Sequence, residues 1–515
     1  MPDHDSPDAT SASATDARAI TDAADALDAS SAGVALDPAD WDHYRDVGHR
    51  MLDELLELLR TVDERPVWTP VPQDVKERLR APAPRQPQPV EDVWRAIQQL
   101  IVPYPTGNIH PRFLGWVHGT GTAGGVLAEM VAATLNCNLG GREHAPVYVE
   151  RQLLGWCKEI FGFPPEAGGV LVTGTSMANL VALSVARNNR CGEDVRANGV
   201  TGGRYVVYAS REGHVSVRKA LELLGLGARA LHVVPVGPDF RMSVQALQRA
   251  IAADRARGLV PFCVVGSAGT VNTGAVDDLG AVADVCAAEG LWYHVDGAFG
   301  AMAMLSEEHR QLLRGIERAD SLAFDFHKWL HAPYAVGCVL VRDGALHHRA
   351  FTAEQSYLER HDRGLAGGAP WFCEFGPDLS RGFAALKVWF TIQEHGLDKL
   401  GANITRNCAQ ARYLAQRVEH AGDLELKAPV SLNIVCFRYT QPGLGRGELN
   451  RINQEIVYFL HEHGIAAPST ARLGGDLTIR VNITNHRTRY ADLDLLVQAV
   501  REAGARATLV SVNES

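Results

Sequence analysis

Four short blocks of the chain carry residue types that could do chemistry together. Thr173-Gly174-Thr175-Ser176 follows the apolar run GVLV and opens a helical stretch. Glycine and small hydroxyl residues at a helix start present N–H groups and hydroxyls to an anion such as a phosphate, although an ordinary helix cap has the same composition. No Gly-Lys-Ser/Thr follows, so the block is not a Walker loop. His214 follows YVVYASREG and could be functional, or a surface or satisfied core histidine. Asp296 ends the run LWYHV. A carboxylate there needs a positive partner, such as a protonated ring nitrogen, unless it is a surface group or a local cap. Lys328 stands between Phe326 and Trp329 in FDFHKWL. A lysine among aromatics loses hydration, which favours the neutral amine that condenses with a carbonyl; a stem lying on apolar surface with its ammonium in water is the plain alternative. In chain order these are a phosphate cup, a histidine, an acid two residues before Ala298, and His327-Lys328: the parts of a cofactor site.

Alternating elements must position them. From about residue 165, apolar β-branched runs alternate with helical stretches: GVLVT, RYVVYAS, LHVVPV, FCVVGSAG, LWYHVD, SLAFDF and GCVLVRD. That pattern predicts an α/β fold with a mainly parallel sheet flanked by helices, and ligands at the carboxyl ends of its strands. The expected organisation is a disordered tail over 1–35, an N-terminal helical segment over 36–105, a large domain over 106–395 and a smaller α+β domain over 396–515. The tail is Ala, Ser, Asp and Thr with few large apolar residues, and cannot offset its ordering entropy. Asp37-Pro38 is the expected start of the first helix, which would pack on its own domain or across a dimer.

These blocks resemble the group II pyridoxal-phosphate decarboxylases, which include the aromatic-amino-acid, glutamate and cysteine-sulfinate decarboxylases. The resemblance runs from about Asp40 to Gly504, in HPRFLGW, GVLVTGTSMANL, HVSVRKA, GTVNTGAVDDL, HVDGAFG, DSLAFDFHKW, Tyr357-Leu358 and RGFAALKVWF. It implies a fold-type I architecture, a pyridoxal 5'-phosphate cofactor, a homodimer and loss of CO2 from an L-amino acid. By that resemblance Lys328 holds the cofactor as a Schiff base and Asp296 pairs with its ring nitrogen. Ala298 and His214 would lie on opposite ring faces. Thr175 and Ser176, with Asp325 and His327, would hold the phosphate and its surroundings. Tyr357 falls where the family has a mobile-loop tyrosine that protonates the substrate carbon. Three positions depart from many relatives: Met177 stands for Glu, Phe326 for Pro and Val271 for Thr.

Trp116, Val117 and His118 align with the family region lining the side-chain pocket. Trp116 could stack an aromatic substrate, whereas His118 or Arg142 could meet an acidic one. Arg480 is a candidate for the substrate carboxylate or a structural ion pair. An aromatic substrate is preferred, with a glutamate- or aspartate-like substrate or an aminotransferase of the same fold as alternatives. A remote alternative is an NAD-dependent oxidoreductase, because Gly119, Gly121 and Gly124 match GxGxxG. No acid ends a second strand about 20 residues on, as that fingerprint requires.

The bulk of the 515 residues agrees with an enzyme acting on a small molecule. Net charge is −10 without a basic stripe, which argues against nucleic acid and membrane surfaces. Nine cysteines, mostly in apolar runs and without metal-ligand spacing, read as reduced thiols in a cytoplasmic protein with no metal. No signal peptide or bilayer-spanning run is evident.

Overall fold

The computed structural model describes residues 18–19, 21–23, 35–192, 194–353 and 361–513. The expected tail lies mostly outside them, as does Tyr357. The chain divides into two compact units, residues 1–58 with 82–99, and residues 59–81 with 100–515.

In the first unit, α1 (Trp41–Arg60) and α2 (Val90–Leu100) are linked through polar side chains. Trp94 Nε1 donates to Glu54 Oε2 at 2.8 Å, and His43 Nε2 pairs with Glu91 Oε1 at 2.5 Å. The cap of α1 is Asp40 rather than the expected Asp37-Pro38: its carboxylate accepts the N–H of His43 at 2.9 Å.

The second unit holds two sheets. β1 (Phe113–Leu114) precedes the seven strands of the larger one: β2 (Gly168–Val172), β3 (Tyr205–Ser210), β4 (Leu231–Val234), β5 (Val260–Ser267), β6 (Trp292–Asp296), β7 (Ser321–Asp325) and β8 (Gly337–Val341). Each falls on one of the apolar runs read from the sequence. Strands buried on both faces read as continuous Val/Ile/Leu-rich runs, which is why all seven were legible. Their order is β2-β8-β7-β6-β5-β3-β4, parallel from β4 to β7, with β8 antiparallel to both neighbours. The sequence did not reveal that reversal. The Phe326–Val336 connection is too short for a crossover helix, so the chain turns back beside β7.

The smaller sheet, β1-β11-β12-β10-β9, comprises β9 (Leu424–Leu426), β10 (Ile434–Tyr439), β11 (Ala467–Leu473) and β12 (Asp476–Asn482) with β1. Phe113 pairs in parallel with Ala467, so a segment read as part of the large domain adds a strand to the C-terminal sheet. Helices α3 (Ala123–Leu135), α4 (Thr175–Arg190), α5 (Val215–Leu223) and α6 (Ala385–Glu419) cover the core. Helix α6 is interrupted at Gly396, where φ is +71°. Among the described residues no helix is long and apolar enough to cross a membrane.

Candidate active site

A cavity of about 410 Å3 opens where β3, β5, β6 and β7 end. Asp296 is the last residue of β6, in register with Ser267 at the end of β5, and Asp325 is the last of β7. Most residues singled out from the sequence share this one space, among them Trp116, Val117, His118, Thr175, Ser176, His214, Asp296, Ala298, Asp325, His327 and Lys328.

The turn after β7 sets the amine. Lys328 Nζ lies 2.8 Å from Asp325 Oδ2, and Asp325 Oδ1 accepts the N–H of Thr175 at 2.6 Å. One buried carboxylate thus ties the lysine to the start of α4. The aromatic surroundings expected for Lys328 are corrected by this arrangement. Phe326 and Trp329 are buried in the core, and Trp329 Nε1 donates to Asn407 Oδ1 at 3.0 Å. Phe326 and Trp329 turn into the core while His327 and Lys328 face the cavity, where the amine meets a carboxylate.

Asp296 is buried at the cavity wall. Its Oδ2 accepts from Asn179 Nδ2 at 2.9 Å and its Oδ1 from the N–H of Ala298 at 3.2 Å. Among the described residues no arginine or lysine pairs with it. His214 caps α5, with Nδ1 within 2.7 Å of Ser216 Oγ. Burial of its flank and the nearby Lys328 pull its pKa below the usual value, against the pull of Asp296.

Two rings, Trp116 and His118, line the cavity with the amine, and Phe113 packs against both. His118 stacks on Phe113 at 5.5 Å and on Trp116 at 5.8 Å. Burial lowers the His118 pKa, and Lys328 adds to that shift, so the neutral imidazole is favoured. Trp116 holds a φ of +46°, and Arg480 Nη1 donates to its carbonyl at 2.9 Å.

Two candidates are placed differently from their expectation. Arg480 is not in the cavity wall and forms no ion pair among the described residues. Its Nε donates to Asn272 O at 3.1 Å, and burial lowers its pKa to about 10. It lies behind the wall because β12 is covered by the backbone of Trp116 and Asn272. Arg142 also lies outside the wall, with its guanidinium 4.4 Å from the centre of the Trp371 ring. Asn179, Ser216 and His294 were not singled out from sequence, although Asn179 follows Thr175 by one helical turn and His294 precedes Asp296 by two strand residues.

The GxGxxG match has another explanation. A Cβ on Gly119 would sit 1.8 Å from the carbonyl oxygen of His327, so glycine lets this segment press on the Lys328 turn. The match runs into the first turn of α3 but follows β1 of the smaller sheet, outside the seven-stranded one, and the dinucleotide reading falls.

The pyridoxal-dependent decarboxylase conserved domain matches residues 72–440. This chain belongs to that family. It is 33% identical to the aromatic-L-amino-acid decarboxylase of Bacillus atrophaeus, over 92% of this chain and 97% of the relative. It is 30% identical to the histidine decarboxylase of Homo sapiens, over 91% of this chain and 71% of the relative. The crystal structure of Oryza sativa TDC with PLP and tryptamine superposes with a TM-score of 0.85 at 26% identity, over 92% of this chain and 99% of that one. As a family member the chain is a pyridoxal-phosphate-dependent carboxy-lyase of fold type I, acting on an amino acid. Its cavity fits the cofactor. Thr175 Oγ1 is buried at the start of α4 without a hydrogen-bond partner among the described residues, where a phosphate would accept from it. Asp296 is a carboxylate on the same wall, the kind of partner a protonated ring nitrogen would need.

Proposed function

We propose that this decarboxylase acts on an L-amino acid with an aromatic side chain, and that Lys328 is the amine that anchors the cofactor. The observation that carries the substrate reading is the pair of stacked rings, Trp116 and His118, in the same cavity wall as Lys328, with Phe113 packed against both. Such rings receive a flat side chain through offset or edge contacts worth about 1 kcal/mol each beyond area burial. An acidic side chain would need a cation. The described cavity wall has no arginine, and neutral His118 is a poor counter-ion. The names of the two relatives, an aromatic-L-amino-acid decarboxylase and a histidine decarboxylase, agree with a planar substrate.

Roles follow from position. Bound pyridoxal phosphate supplies an electron sink for the pair released as the Cα–carboxylate bond breaks. Thr175 and Ser176, at the N-terminus of α4, would hold its phosphate by hydroxyl and N–H donation. Asp325 fixes Lys328 Nζ at the cavity and keeps it paired. Asp296, held at both oxygens, places a fixed negative charge where a pyridine nitrogen would lie. Ala298 is small enough to let a ring pack on it, and His214 covers the other side. His327 packs behind Lys328 beside Asp325. Tyr357 would protonate the substrate carbon after CO2 leaves.

The protein would work as a cytoplasmic homodimer. No disulfide is present among the described residues and eight of the nine cysteines are buried, which suits a reducing compartment. Helix α3 leaves Met130, Val131 and Leu135 exposed, an apolar face suited to a second copy. The interruption of α6 at Gly396 agrees with a boundary between large and small domains at 395–396.

A CO2-release assay over the common L-amino acids, with added cofactor, tests the substrate reading. Release from an aromatic amino acid or histidine is expected. Release confined to glutamate, aspartate or aliphatic amino acids would overturn it.

A further inference from the structure

The buried polar groups behind Asp296 form one continuous chain. Trp292 Nε1 donates to Ser321 Oγ at 2.8 Å, and Ser321 Oγ lies 2.8 Å from His294 Nδ1. His294 Nε2 lies 2.9 Å from Asn179 Oδ1. The amide nitrogen of Asn179 reaches both Asp296 Oδ2, at 2.9 Å, and Ser216 Oγ, at 3.0 Å. Ser216 Oγ reaches His214 Nδ1 at 2.7 Å, and the N–H of Ser216 points at the same nitrogen at 3.3 Å.

Every hydrogen in this chain has one allowed place. The Asp296 carboxylate only accepts, so Asn179 turns its amide nitrogen to it and leaves Oδ1 as an acceptor. The group facing that oxygen, His294 Nε2, must then carry a hydrogen. Burial pushes the pKa of His294 down to about 4, so the ring is neutral and its Nδ1 is bare. Ser321 therefore donates to Nδ1 while accepting from the indole of Trp292, which can only donate. On the other branch, Ser216 accepts from Asn179 and passes its own hydrogen to His214 Nδ1. The backbone N–H of Ser216 is a second donor to that nitrogen.

We propose that Asn179 is a positioning residue that locks His214, through Ser216, as the neutral tautomer bearing its hydrogen on Nε2, while the same amide orients Asp296. Nε2 has no partner among the described residues, and His214 lines the cavity. The cavity is thus offered a hydrogen-bond donor at this place, suited to an oxygen acceptor on what binds there. Charging the ring would put a hydrogen on Nδ1 against two donors, so the chain also opposes protonation. The charged groups around the ring are Asp296 on β6, Asp325 and Lys328 at the end of β7, and Lys219 on its own helix. Glu212, two residues before His214, also lines the cavity. This inference rests on the reading of Asp296 and His214 as site residues but not on the choice of substrate.

The test is nitrogen-15 NMR of the histidine-labelled full chain, before and after cofactor addition, with His214→Gln to assign the signal. The expected wild-type spectrum shows His214 with a bare Nδ1 and a protonated Nε2, and the ring stays neutral below pH 6.5. Asn179→Asp turns a donor into an acceptor, so Ser216 turns its hydrogen to the new carboxylate. His214 should then move to the Nδ1-protonated form and titrate at higher pH. Ser216→Ala keeps the backbone donor and should raise the His214 titration by about one pH unit, one hydrogen bond's worth. The acid limb of kcat/KM should move with it. Should Asn179→Asp not fold, Ser216→Ala carries the test alone. A hydrogen on Nδ1 in the wild type, or an unmoved titration in Ser216→Ala, would overturn the proposal. Loss of activity with an unchanged tautomer would count against it as well.

Discussion

Asp325 accepts from both Lys328 Nζ, at 2.8 Å, and the N–H of Thr175, at 2.6 Å. One buried acid therefore couples the amine after β7 to the start of α4, the proposed seat of the phosphate. Asp325→Asn keeps one acceptor and removes the charge. Cutting a partly buried pair in this way should lower stability by about 2 kcal/mol. Cofactor affinity should fall at least tenfold, read by titrating the visible absorbance. Unchanged affinity would mean that the pair does not position the amine.

Gly119 should be as sensitive as a site residue although it has no side chain. Its missing Cβ leaves room for the carbonyl oxygens of His327 and Lys328, at 1.8 and 2.8 Å from where the atom would be. Backbone cannot step aside cheaply, and overpacking of this kind costs about 1–3 kcal/mol. Gly119→Ala should displace the Lys328 turn and weaken cofactor binding. Gly121→Ala would meet only the ring of Pro333, at 3.7 Å, and differs mainly by its φ of +67°. Equal effects on cofactor affinity would argue against the turn as the cause.

Much of this architecture was legible because burial on both faces of a parallel sheet leaves continuous apolar runs, and because the residues ending those runs face one edge. Asp296, Lys328 and Thr175 were found in that way. The orientation of β8 was not, since it depends on the length of the loop after Phe326. Arg480 was misplaced because an arginine within a strand carries no sign of which carbonyls will meet it. Asn179 and His294 left a faint periodic signal, one turn after Thr175 and two residues before Asp296. Neutral polar residues at such spacings occur in many helices and strands, so only the folded contacts distinguished them.

Four buried histidines should make the protein acid-sensitive above pH 4, offset in part by Asp277, whose carboxyl burial raises to about 6. Burial lowers His110, His294, His331 and His347 to about 4 from their ordinary 6.5. Between these values the unfolded chain binds more protons than the folded one, so stability is full above pH 6.5 and falls as pH drops towards 4. Each group contributes about 1.4 kcal/mol per pH unit in that window. Melting temperature should decline steadily from pH 6.5 to 5. A flat profile there would show that these rings are not kept neutral.

The ring wall predicts a split between substrates. Trp116→Ala should raise KM for an aromatic amino acid about tenfold, with a smaller change in kcat, because stacking holds substrate before and during reaction alike. His118→Arg would place a charged group beside the cavity and should shift preference towards an acidic amino acid. Unaltered KM in both variants would remove these rings from the substrate contact.

The most direct measurement reduces the cofactor-loaded protein with borohydride and locates the pyridoxyl group by peptide mass spectrometry. The label should sit on Lys328, and Lys328→Ala should lose both the label and the visible band of the wild type. A label on any other lysine, or a band that survives the substitution, would contradict the account.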